Sequence, residues 1–485
     1  MSDLAKSAGS FSWAMLLLGA RQLGAALSGR GEEAAKAVGS VAQAAEERLG
    51  GGLRALLKAG GRLQSAGVDL VFDSLAPHPP GAAALAPAAF SFSRETAGAL
   101  GELLPGDAAL PWRELEDKLE AFELFKYARE RLGIPITPGA AVMPLAEQLR
   151  RRAGLDTYSA VWVTEGLGYA HGAGAWSAGG EPRRLLADAS AAGLPAQALI
   201  ALHAGMGLAF AERSLAPLSA APGGGGPGPA GESSSLGAAL AGFLSLCRGN
   251  AAGGYEEITR EALGLVARNL HPHLVAPIAA RLAGIDALLV EYFWHGVGRG
   301  AYFAPAHALP YVGSARRSLA ELEQATPDPP ARSNALAGFA WALALVNIRR
   351  PEVVEGFLRQ HRERFLPTAP AAPATPATPA DNAGDFSAAV ASGIASAVLV
   401  WHRSVGEDAW LGRFLAHAPD PADRQAVALW RRQVKEPCAA ALEIARGARG
   451  PSIPWGSLFR YRPLGVLLAG LAADASATEA RAAAP

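Results

Sequence analysis

Apolar residues recur at helical spacing along most of the chain, while period-two alternation is scarce. In the first 75 residues, glycines at Gly29, Gly31 and Gly50 to Gly52 separate three stretches of helical composition. In the third stretch Leu53, Leu56, Leu57, Leu63, Leu70, Val71 and Leu75 form one apolar stripe. The clearest single helix runs from Trp112 to Leu132. Its first turns carry Glu114, Glu116 and Asp117, its last Lys126, Arg129 and Arg131, and Gly133 with Pro135 stops it. That charge order complements the helix dipole. Tyr158 to Thr164, with alternating character and β-branched residues, is the main departure toward strand. The pattern predicts an all-α chain.

Proline, glycine and alanine punctuate this pattern and suggest the domain plan. Residues 1–75 read as an amphipathic helical block, 76–90 as a Pro/Ala-rich linker, 91–472 as a helical, repeat-like domain, and 473–485 as a disordered tail. Inside the main domain, 219–235 and 367–384 read as exposed low-complexity loops. Ser452 to Pro463, bearing Trp455, Phe459 and Tyr461, reads as an extended aromatic segment packed across the helices. Phe386 to Trp401 is uncharged but only sixteen residues long. A bilayer needs roughly 18 or more, so a buried helix is expected there and no transmembrane segment.

Within the main domain one pentad recurs: Gly, any residue, small, any residue, small. It stands at Gly166, Gly205, Gly296, Gly338 and Gly393. On a helix the first and third small residues share a face and the middle one points nearly opposite, so neighbours can approach from two sides. Ala and Gly fill a third of the chain, so such pentads also arise by chance. The spacing adds information: Gly166 to Gly205 is 39 residues, Gly296 to Gly338 is 42, and Gly338 to Gly393 is 55 with the Pro-rich insertion inside. Helix-pair repeats have periods of about 34 to 47 residues. Stacked helix pairs of about 40 residues are therefore expected, with one degenerate copy between Gly205 and Gly296.

The series Glu165-Gly-Leu-Gly-Tyr, His295-Gly-Val-Gly-Arg-Gly-Ala-Tyr-Phe, Leu309-Pro-Tyr-Val-Gly-Ser-Ala-Arg-Arg-Ser-Leu and Ala337-Gly-Phe-Ala-Trp-Ala-Leu-Ala resembles an uncharacterised bacterial family found beside enediyne polyketide biosynthesis genes. The likeness covers roughly residues 95 to 450. The chain departs from the family in the aromatic detail around the first motif and in its Pro-rich insertion. The family has no assigned reaction, so the resemblance implies only an association with polyketide or other secondary-metabolite chemistry. Separately, Phe11-Ser-Trp-Ala-Met and Arg62-Leu-Gln are similar to phasin-type helical proteins that coat polyester granules, which implies a peripheral lipid or granule association through residues 8–75.

Charge and cysteine content narrow the function. The 44 basic and 44 acidic side chains cancel, which argues against nucleic acid, where cationic surplus is needed. Residues 1–75 hold eight basic and seven acidic groups, without the excess that draws a helix to anionic lipid. Cys247 and Cys438 are the only cysteines, so neither a disulfide framework nor a thiolate metal cage is expected, and a reducing cytoplasm is the expected compartment. No nucleophile elbow or Walker loop occurs, and no cofactor is expected. His271 and His273 flank Pro272 and fit a surface turn better than a metal site, and the pairs Arg316-Arg317 and Arg349-Arg350 read as solvated.

Glu165, His203 and His295 each precede a pentad by one or two residues, and His402 trails the last one. If the pentad helices stack in parallel, these groups converge at one end, with Tyr169, Trp294 and Trp401 as walls and Arg299 in the same motif, forming a pocket candidate. Glu165 and Glu212 are the carboxylates that could serve a histidine in acid–base work. Without a catalytic motif, the expected function is a non-catalytic helical scaffold or binding protein whose partner is a protein or an apolar small molecule. The alternatives are an enzyme of an unrecognised family acting on an apolar metabolite in a helical pocket, and a granule or lipid-surface protein.

Overall fold

In the computed structural model, the charge-ordered stretch expected as a helix forms α1 (Leu110–Arg131). The structure describes residues 94, 97–99, 101–102, 106–131, 142–177, 180–219, 229–303, 315–365, 381–447 and 455–470. The expected block at 1–75, the linker at 76–90 and the tail at 473–485 lie outside them. Among the described residues 83% are helical and none is in a strand, so the chain is all-α. After α1 come α2 (Val142–Arg151), α3 (Thr157–Ser177), α4 (Leu199–Ser219), α5 (Pro229–Asn250), α6 (Glu256–Leu270), α7 (Val275–Ala283) and α8 (Ala287–Phe303). Then follow α9 (Ala315–Ala325), α10 (Pro329–Val346), α11 (Pro351–Gln360), α12 (Asp381–Val405), α13 (Ala409–Ala416), α14 (Arg424–Trp430) and α15 (Glu436–Gly447). Aspartate caps start several of them: Asp328 accepts from Ala331 N, Asp408 from Leu411 N and Asp423 from Ala426 N.

Two local expectations change. Tyr158 to Thr164 lies in α3, not in a strand: Tyr158 and Val163 are fully buried and Val161 and Trp162 nearly so, and burial on every side overrides a local β preference. Helices α5 and α12 begin at Pro229 and Asp381, inside the two segments read as exposed loops, and α5 places proline at its tolerated first position.

Seven helices, α1, α3, α4, α6, α8, α10 and α12, pack side by side in chain order, and the others lie against them. Their contacts are made where the small residues stand. A methyl group on Gly166 would strike the Phe125 carbonyl of α1, and one on Gly168 the Leu202 backbone of α4. In α8, Gly296 and Gly300 face α6, whereas Gly298 faces Ala335 of α10. The first and third small positions thus meet the preceding helix and the middle one meets the next, as the 100° step per residue requires. Helix α6 packs on both sides in the same way: Ala262 lies beside Gly207 of α4, and Gly264 lies against Phe293 of α8.

The row also curls. Trp162 of α3 meets Phe303 of α8 edge-on at 6.3 Å, and Tyr158 of α3 lies 6.3 Å from Trp401 of α12. Helix α12 contains Phe386–Val405, a stretch long and apolar enough to cross a membrane, but 78% of it is buried within the fold. Arg349 and Arg350, expected to be solvated, instead clasp the end of α10 to α1. Arg349 lies 3.7 Å over the Tyr158 ring and 2.9 Å from Asp117, while Arg350 reaches Glu116 at 2.6 Å. A guanidinium can stack and pair at once, so it tolerates this half-buried position.

Candidate functional site

Four ionisable side chains meet between α3, α6 and α8. His295 and Arg299 are one turn apart on α8 and therefore share a face. The fully buried Glu261 of α6 receives both: His295 Nδ1 donates to one carboxylate oxygen at 2.9 Å, and Arg299 Nη1 to the other at 2.8 Å. Glu165 of α3 approaches Arg299 Nη2 at 3.5 Å. The Arg299 guanidinium lies 4.5 Å over the ring of Trp341 of α10, a cation–π contact.

Position within the pentad explains the meeting. Glu165 and His295 stand just before the leading glycines, Glu261 just before Ala262, and Arg299 and Trp341 three residues after theirs. These two positions are four residues apart, one helical turn. The packing glycines also contact these residues' backbones: Gly205 closes on the Glu165 carbonyl, Gly296 on that of Glu261 and Gly338 on that of His295.

A 3₁₀ turn, Trp455–Phe459, roofs the cluster. Phe459 lies 6.1 Å from His295 and 5.4 Å from Trp341, ring to ring. The turn and the residues after it are pinned by Gly456 N donating to Gly254 O at 3.2 Å, by Tyr461 N donating to Asn334 Oδ1 at 2.7 Å, and by an Arg460–Glu291 ion pair. The aromatic segment does pack across the helices, though Trp455–Phe459 forms a helical turn where an extended segment was expected.

Burial pushes the Glu165 carboxyl above its ordinary range; Arg299 pulls it back and Glu261 pushes it further. Burial holds the His295 imidazole below its ordinary value, opposed by its hydrogen bond to Glu261. A neutral imidazole donating through Nδ1 to one Glu261 oxygen, with Arg299 on the other, agrees with the downward direction at His295. Chemically, the His295–Glu261 pair has the spacing of an acid–base couple. Among the described residues no group of three or more His, Cys, Asp or Glu side chains is placed to hold a metal ion.

Of the eight residues expected to line a pocket, Glu165, His295 and Arg299 come together and the rest are used elsewhere. His203 is two residues before its glycine, so it points about 100° away from the cluster. Its Nδ1 donates to Leu199 O at 2.6 Å, its Nε2 accepts from Ala252 N at 3.0 Å, and its ring stacks on Tyr255. Burial lowers its pKa to about 4. Tyr169 donates to Glu212 at 2.5 Å. Trp294 is buried against Phe293, and Trp401 donates to Asp408 at 3.0 Å. His402 is half-buried on the following position of α12, with Nδ1 unpartnered. Glu261 and Trp341 were missed. Glu261 precedes an alanine-led copy of the pentad, and the sequence Glu261-Ala-Leu-Gly264 is the signal that could have found it.

No family model, curated protein or solved structure matches the chain.

Proposed function

We propose that the protein is a non-catalytic helical scaffold or binding protein, its central charge cluster serving to fix how the helices pack. One observation carries this reading: Glu261, wholly buried, accepts from both His295 and Arg299. The candidate base and the candidate anion holder are thereby both held by Glu261 beneath Phe459. A general base has to reach the proton it takes, whereas a buried ionic network with one low-energy arrangement specifies register between helices. The sequence likeness to the enediyne-associated family supports a setting in secondary metabolism.

A second reading, an enzyme acting on an apolar metabolite, is favoured by the same His295–Glu261 contact, since a histidine oriented by a carboxylate is the usual acid–base couple. Diethyl pyrocarbonate labelling of the folded full-length chain, mapped by mass spectrometry, separates the two. The scaffold reading expects His295 to label far more slowly than the exposed His273. Labelling of both at similar rates overturns it.

A further inference from the structure

A cavity of about 300 Å³ lies between α9, the first turns of α10, the single helical turn Arg362–Phe365 and the start of α12. Its walls include Glu323, Arg332, Ser333, Leu336, Arg364 and Phe386. Two of its three charges are already matched: Arg364 pairs with Glu323 and lies 3.9 Å over the Phe386 ring. The third is not. Arg332 is half-buried, its Nε is buried without a hydrogen-bond partner, and among the described residues no carboxylate pairs with it. Among the described residues the cavity therefore holds one surplus positive charge, that of the Arg332 guanidinium, with Ser333 beside it and apolar walls from Leu336 and Phe386.

We propose that this cavity is a binding site for a small molecule carrying one carboxylate on a compact apolar body, with Arg332 taking the carboxylate. A guanidinium matches a carboxylate in two parallel hydrogen bonds. A buried donor without a partner is costly to maintain, and an incoming acceptor relieves that cost. The volume is at the small end of ligand pockets, which suits a body of about one ring. Inorganic phosphate fits less well, because its second charge would face Glu323 and it offers nothing to Leu336 or Phe386. The proposal goes beyond the scaffold reading and does not depend on the Glu261 cluster, with which the cavity shares no residue.

The test is calorimetric titration of the full-length chain with benzoate, with benzamide as the uncharged analogue and with inorganic phosphate. Saturable benzoate binding is expected, about tenfold or more stronger than that of benzamide, since a charge-assisted pair is lost with the carboxylate. Arg332→Gln should weaken benzoate by a similar factor while keeping the wild-type unfolding midpoint, because Arg332 holds no ion pair among the described residues. Arg332→Lys should fall between the two, keeping the charge but not the fork. Absence of benzoate binding at millimolar concentration, equal binding of benzamide, or unchanged binding by Arg332→Gln overturns the proposal. Phosphate binding tighter than benzoate overturns the carboxylate assignment.

Discussion

Replacing Gly207 by alanine tests whether the helices are held at backbone contact. A methyl group there would stand 2.5 Å from the Thr259 carbonyl oxygen, 2.7 Å from Thr259 Cα and 3.0 Å from Ala262 Cβ. Ordinary contact begins near 3.4 Å, so α4 and α6 would have to part by about 0.9 Å, and two main chains yield less readily than a side chain. Overpacking of this kind costs roughly 1–3 kcal/mol, with rigid neighbours toward the upper end. Against this, alanine gains up to about 1 kcal/mol in helix propensity. The net expectation is a loss of about 2 kcal/mol. The control is Gly242→Ala in α5: Gly242 is exposed, in mid-helix, and a methyl group would meet nothing within 4 Å. There the propensity gain stands alone, and stability should rise by about 0.5–1 kcal/mol. Urea unfolding followed by circular dichroism reads both as shifts in midpoint. Opposite signs are required, and a Gly207→Ala variant as stable as wild type would refute the close-packing argument.

Three further outcomes follow from the buried polar groups. His203 is held near pKa 4 by burial, below the unfolded value of about 6.5. A depressed histidine contributes stability above pH 6.5 that is lost as pH falls toward 4, here about 3 kcal/mol. Denaturant melts across that window should show a smaller loss in His203→Gln. Glu261→Ala leaves Arg299 with Glu165 alone and should cost roughly 3–5 kcal/mol, whereas joint replacement of Glu165, Glu261, His295 and Arg299 by Met, Leu, Phe and Met should cost less, as chemical denaturation would show. Phe459→Ala should cost about 3–5 kcal/mol and speed diethyl pyrocarbonate labelling of His295, because it opens the roof.

Helix placement was legible because alanine-rich runs, caps and glycine stops act locally. The ends of α1 fell within two residues of expectation. The two-sided use of the pentad was also legible, since it follows from the helical period alone. What could not be read was which polar residues share the interior. Residues one and two before a glycine were weighed alike, yet a step of 100° sends Glu165 and His295 to the cluster and His203 to Ala252. Glu261 was hidden because alanine replaces the leading glycine of α6. The clasp of Arg349 and Arg350 onto α1 joins groups over 230 positions apart, a pairing that only the curl of the helix row creates.

A non-catalytic role for the centre is tested most directly by genetic complementation. A deletion strain would be supplied with either the wild-type chain or His295→Asn, after the variant's unfolding midpoint confirms that it folds, and the metabolite profiles compared. If the cluster only fixes helix packing, His295→Asn restores the profile as fully as wild type does. A folded His295→Asn chain that leaves the profile of the deletion strain unchanged would contradict it and make His295 a catalytic residue.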